Sequence, residues 1–328
     1  MPDPNKWFTK AIHNYYIKCQ RVYCQNNNIE YSSKNYIYSL GPFNNFYNIS
    51  NEIKNISIII KDILDNGSCK IPNKTITYKK CDILFKSSDK KNILAKYINS
   101  LSEKLYDELI KVSTNIINIL EKDLQTYLLP YNYAIYRNLE INSDIIKNNS
   151  KIFGNGAWNF HCDHDPPFKI KVFTYLNDIN ENKAPFEIIY NLNKQLYPKL
   201  IPYGNSLWSW GVVDVSYKSN DNESNKNPYF LEKNKKVYPI NPNTRIPKGT
   251  INKLLKNGYI KKKILGKKGT MFPTQTGLIH KANIANEGYR DILVLECVPS
   301  LQKIDKSNYK KYFQSNIDTK TFYKELIS

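Results

Sequence analysis

The chain has only four histidines, and three of them stand in two short segments whose neighbours could do chemistry with them. His161 and His164 belong to His161-Cys162-Asp163-His164-Asp165, and His280 follows Thr276-Gly277-Leu278-Ile279. Residues two apart on a β-strand face the same side, so the His161 imidazole and the Asp163 carboxylate can share one metal ion. A second imidazole, from His280, would complete a set of two nitrogens and one oxygen on one face of that ion. Such a set leaves three coordination positions open, as in non-haem Fe(II) oxygenases; a keto acid takes two of them and O2 the third. His164 alternates to the other face of the strand and reads as an outer or surface residue. Cys162, on that face too, reads as packing, and His13, with no ligand partner nearby, as structural.

The segments around this set must position it. Lys169 to Asp178 reads as a strand with Lys171, Phe173 and Tyr175 on one face and Ile170, Val172, Thr174 and Leu176 on the other, under helices. Ten residues after His280 stands Arg290, one of four arginines with Arg21, Arg137 and Arg245. A guanidinium fork suits the distal carboxylate of 2-oxoglutarate, because two parallel charge-assisted hydrogen bonds fix its orientation. Ala282 to Gly288 reads as a turn, and a hairpin there would bring His280 and Arg290 to one pocket. Tyr289 to Val298 is apolar on both faces and belongs in the middle of a packed sheet.

Further out, Ser50-Asn51 predicts the start of a helix to about Asp65, stopped at Asn66-Gly67. Residues 68–86 read as short strands. A longer helix is expected from Ser88-Asp89, with one apolar stripe through Leu94, Ile98, Leu101, Leu105, Leu109, Val112, Ile116, Leu120 and Leu124, ended by Pro130. Beyond it the texture is β, with strands expected at 132–139, 156–163, 169–177, 185–190, 207–217, 259–265, 270–275, 277–282 and 289–298. Residues 218–227 form a polar loop, 248–257 a short helix, and Trp208 and Trp210 read as aromatic core. The expected class is mainly β (α+β), a sandwich or barrel flanked by helices. A helical or mixed region over 1–130 would pack on a core at 131–300, with insertions at 191–260 and a weakly amphipathic tail at 301–328.

Trp158-Asn159-Phe160-His161-Cys162-Asp163, Lys171 to Ile179, and Gly269-Thr270-Met271-Phe272 through His280 to Tyr289-Arg290 resemble the phytanoyl-CoA dioxygenase-like family. The resemblance covers roughly residues 130–300. It implies a double-stranded β-helix (jelly-roll, cupin-like) core and hydroxylation dependent on Fe(II), 2-oxoglutarate and O2, with release of succinate and CO2. It implies His161, Asp163 and His280 as iron ligands, Arg290 at the cosubstrate carboxylate, Phe173 against the cosubstrate, and Lys171 and Tyr175 lining the same pocket. Two departures stand out. Ala184-Pro185-Phe186 replaces the family's Gly-Pro-Phe without the following Gly-Ser-His, and Ala282 stands where a small hydroxyl residue is common.

Composition sets the alternatives. The net charge of +19 could serve a nucleic-acid partner, with Lys261–Lys263, Lys267 and Lys268 on one patch. With four arginines among 48 basic residues, it lacks the Arg forks typical of phosphate sites, and nucleic acid is not the favoured partner. A dioxygenase-like protein that has lost activity and only binds a ligand is a second alternative. Six scattered cysteines contain no CxxC pair, and no apolar run approaches the ~18 residues of a membrane span. The expected setting is cytoplasmic, and the substrate, small molecule or biopolymer, is not named by the sequence.

Overall fold

The computed structural model describes residues 15, 17–31, 46–65, 82–84, 93–98, 101–140, 158–161, 169–190, 194–203, 207–216, 237–239, 246, 248–275 and 279–314. In chain order the elements are α1 (17–26), β1 (Tyr47–Asn48), α2 (Lys54–Asp65), β2 (Asp82–Leu84), β3 (Ile93–Tyr97), α3 (Glu103–Leu124), β4 (Tyr127–Leu139), β5 (Ile170–Tyr175), β6 (Phe186–Tyr190), β7 (Lys194–Tyr203), β8 (Leu207–Ser216), β9 (Val237–Pro239), α4 (Lys248–Lys256), β10 (Ile260–Ile264), β11 (Thr270–Gln275), β12 (Ile279–Ala282), β13 (Tyr289–Ser300) and α5 (Tyr309–Gln314).

Seven strands form one sheet in the order β1-β11-β5-β13-β4-β3-β2; β10-β6-β12 and β7-β8-β9 form two smaller sheets, and the pairings are antiparallel. Helices cover one face of the large sheet. Ile56, Ile60 and Leu64 of α2 and Leu105, Leu109, Val112, Ile116, Leu120 and Leu124 of α3 pack on Ile135, Ile170, Val172, Met271, Leu293, Leu295 and Cys297. Each such side chain contributes about 1.5–3 kcal/mol by leaving water. The opposite face meets the β10-β6-β12 sheet across a second core of Phe173, Tyr175, Phe272, Ile292 and Val294 against Phe186, Ile188 and Ile264. β5 thus splits by parity as its sequence predicts, with Phe173 and Tyr175 inward and Ile170 and Val172 under the helices.

The long helix is shorter than its stripe suggests. Leu94 lies on β3, paired through Tyr97 with Tyr136 of β4. The helix starts at Glu103, where the Ser102 hydroxyl accepts the Leu105 N–H at 3.3 Å. Leu94, Ile98 and Leu101 matched a helical period, but a new cap and a β-ladder partner took precedence. β4 begins at Tyr127, so one strand crosses the expected boundary at 130. Residues 68–81 of the expected short strands, the loop at 218–227 and residues 315–328 of the tail lie outside the described residues.

The hairpin expected between His280 and Arg290 is absent. β12 pairs with β6 in the small sheet, whereas β13 pairs with β4 and β5 in the large one. Residues 283–288 therefore carry the chain from one sheet to the other. Asn283 ties this crossing to the Pro185 carbonyl, from its backbone N–H at 3.2 Å and its side-chain amide at 2.8 Å. Gly269 shows why its residue type matters: its φ is +90°, and a Cβ would stand 2.5 Å from the Ser50 backbone.

Candidate functional site

His161 and His280 meet as an antiparallel bridge. Each backbone N–H donates to the other's carbonyl at 2.9 Å, and the two ring centroids are 4.4 Å apart. Both are buried. His161 Nδ1 lies 2.8 Å from the Asn159 carbonyl. A carbonyl only accepts, so Nδ1 carries the proton and donates, which puts the lone pair on Nε2, where a metal would take it. His280 pairs with Ile188 in register and stacks on Phe186 at 5.2 Å and 23°. Phe186 in turn lies 4.7 Å from Phe173, so the imidazole pair opens on the core between the two sheets. Asp163, with Cys162 and His164, lies outside the described residues. Among the described residues no group of three or more His, Cys, Asp or Glu gathers.

Along β13 the inward positions are Arg290, Ile292, Val294 and Glu296. Their β4 partners are Asn138, Tyr136, Ala134 and Asn132, and β5 sets Tyr175, Phe173 and Lys171 opposite the last three. Arg290 is 1% exposed. Its Nε and Nη2 both donate to Asn138 Oδ1, at 3.2 and 2.8 Å, and its buried Nη1 has no hydrogen-bond partner among the described residues. Tyr175 is fully buried and donates to the Ile264 carbonyl at 2.7 Å, while the Phe186 N–H reaches its oxygen at 3.4 Å. Burial pushes its phenol up to about 12, against the opposing Arg290 charge.

The structure thus joins Phe173 and Tyr175 to the histidine pair through Phe186. Lys171 goes elsewhere: its Nζ lies 3.7 Å from the Glu296 carboxylate, which also takes Lys169 at 2.8 Å and the Asn132 amide at 3.0 Å. Six residues of strand, on the order of 20 Å, separate Glu296 from Arg290.

Sequence reasoning missed Asn138, because only strand register sets it opposite Arg290. It also missed Phe186, which sits in the Ala-Pro-Phe segment already marked as a departure. Ala184 there is buried with φ +50°, the left-handed region in which glycine costs less. A third omission is Arg137, whose Nε and Nη2 grip Asp291 at 2.6 and 2.7 Å and whose Nη1 reaches Asp65 at 2.5 Å. Its guanidinium also covers the Tyr289 ring at 3.8 Å.

The basic residues on and just after β10 face carboxylates and a ring. Lys261 lies 3.8 Å from Glu187, Lys263 pairs with Glu181, Lys267 with Asp178 at 3.0 Å, and Lys262 stands over Phe46. No helix among the described residues is long and apolar enough to cross a membrane.

No protein-family model matches the chain, and a search of curated proteins finds no match in sequence. Among solved structures, it is similar to EctD from S. alaskensis with bound Fe, at TM-score 0.41 and 10% identity over 83% of this chain and 79% of that one. It is similar to the epimerase SnoN in complex with Fe3+, alpha ketoglutarate and nogalamycin RO, at TM-score 0.37 and 10% identity over 76% and 75%. It is also similar to HygX from Streptomyces hygroscopicus with nickel and 2-oxoglutarate bound, at TM-score 0.38 and 11% identity over 84% and 89%.

Proposed function

We propose that the chain is an Fe(II)- and 2-oxoglutarate-dependent dioxygenase of the phytanoyl-CoA dioxygenase-like kind, hydroxylating a small molecule or biopolymer in the cytoplasm. One observation carries the reading: two buried imidazoles, ring centroids 4.4 Å apart, open on an apolar interior whose lining includes a buried arginine with an Nη1 that no described residue satisfies. Two facing antiparallel sheets, with residues 283–288 passing between them, support a double-stranded β-helix core.

The residues fit the implied groups. His161 and His280, with Asp163, would hold iron, and Arg290 the distal carboxylate of 2-oxoglutarate. Bound iron with 2-oxoglutarate supplies O2 activation coupled to oxidative decarboxylation. The chain supplies the rest. The Asn159 carbonyl fixes the His161 tautomer, Phe186 holds the His280 ring, and Phe173 and Phe272 keep water from the interior. Tyr175, its hydroxyl committed to Ile264, forms a wall of the cosubstrate pocket. Lys171 belongs to the end occupied by Glu296, away from Arg290. The intact His161, Asp163, His280 and Arg290 speak against an inactive binding protein, and the carboxylates beside Lys261, Lys263 and Lys267 speak against a nucleic-acid patch.

Equilibrium dialysis against Fe(II) without oxygen tests the metal set. One ion per chain is expected, with loss of binding in His161→Ala, Asp163→Ala and His280→Ala. Retention in all three would remove the assignment. Succinate release that needs O2, across a panel of small molecules and peptides, would then name the substrate.

A further inference from the structure

Two arginines sit side by side on the β4–β13 ladder, each one half of a cross-strand pair: Arg137 opposite Asp291 and Arg290 opposite Asn138. Both are buried, on opposite faces of the sheet. On the helix side Arg137 uses Nε, Nη1 and Nη2 on carboxylates. On the inner side, among the described residues, Arg290 has only a neutral partner, one amide oxygen shared by Nε and Nη2, and Nη1 has none. The amide orientation is fixed by chemistry, since guanidinium N–H groups donate and only the Asn138 oxygen can accept. Among the described residues no carboxylate offsets this cation, and a buried, unbalanced charge is costly until an anion arrives.

We infer that Asn138 is the positioning residue of the cosubstrate subsite: it grips Arg290 along its Nε–Nη2 edge without neutralising it. The guanidinium keeps its full charge and offers its Nη1 end. The distal carboxylate of a keto diacid is therefore taken end-on, by Nη1 and the remaining Nη2 hydrogen, and not along the Nε side. This rests on the reading of Arg290 as the cosubstrate anchor. An aspartate at 138 would have nearly the same shape but would satisfy Arg290 internally and compete with the ligand.

The test is calorimetric titration of 2-oxoglutarate into anaerobic, Fe(II)-loaded protein, with thermal unfolding of each variant. Asn138→Asp is expected to weaken 2-oxoglutarate binding on the order of 100-fold, the scale of losing a buried charge pair. Its Fe(II) affinity should be unchanged and its melting temperature no lower, a combination that a purely structural residue would not give. Asn138→Ala, which removes the grip and keeps the charge, should weaken binding about tenfold, and it decides the matter if the aspartate variant does not fold. Binding within threefold of wild type in both variants, with Arg290→Ala still weakening it, overturns the role of Asn138 and leaves the anchor standing. A wild-type protein that takes up Fe(II) but gives no heat with 2-oxoglutarate overturns both.

Discussion

Asp291→Asn should destabilise the fold by about 3 kcal/mol through the clamp that joins α2 to the large sheet. Arg137 and Asp291 are 5% and 3% exposed, and the two bonds between them measure 2.6 and 2.7 Å. Breaking a buried pair by removing one charge costs about 3–5 kcal/mol, because the other charge is left in a poor dielectric. Here the loss falls at the low end. The asparagine oxygen still accepts one bond, Asp65 stays 2.5 Å from Nη1, and the Tyr289 ring remains against the guanidinium. Burial already pushes the Asp291 carboxyl up, and the Arg137 fork offsets only part of this, so the pair holds structure together at the cost of desolvation. The double variant Arg137→Met with Asp291→Leu should accordingly lose less than Asp291→Asn alone. Urea unfolding at 25 °C reads both, as a shift in midpoint at constant slope. An Asp291→Asn loss below about 1 kcal/mol, or a double variant worse than the single, would refute the reasoning.

Ala184→Gly should stabilise the fold by about 0.5–1 kcal/mol, because alanine at φ +50° bears a left-handed penalty that glycine escapes; an unchanged urea midpoint would contradict it. Gly269→Ala should lose about 2–4 kcal/mol in the same assay, from φ +90° and a Cβ 2.5 Å from the Ser50 backbone. Tyr175 predicts an alkaline limit: its folded pKa is about 12 against an ordinary 10, so its contribution is intact below pH 10 and lost as pH rises towards 12. Tyr175→Phe should show a shallower fall in urea midpoint between pH 10 and 12, after an initial loss of about 1 kcal/mol for the bond to Ile264.

Where local pattern decides structure, the sequence was readable. The strands at β5, β6, β10, β11 and β13 follow from alternation and β-branched runs, and the parity of β5 alone puts Phe173 and Tyr175 on one face. Where two patterns compete, the reading failed. Leu94 and Ile98 fitted the stripe of α3, yet Leu94 falls on a strand and Ile98 just past it, because β4 supplies a ladder partner. β7 carries Pro198 and Pro202, which argue against a strand, but it pairs in register with β8. The switch of sheets between His280 and Arg290 left no local mark, because a crossing and a hairpin use the same turn residues. The facing of Asn138 and Arg290, 152 residues apart, and of Arg137 and Asp291, 154 apart, is a product of register alone.

The most direct measurement of the central claim is a spectroscopic titration of the Fe(II)-loaded protein with 2-oxoglutarate in the absence of oxygen. A weak metal-to-ligand charge-transfer band in the visible should grow to one equivalent, weaken in Arg290→Ala, and vanish in His161→Ala and His280→Ala. No band in the wild-type protein, or one indifferent to both histidines, would contradict the account.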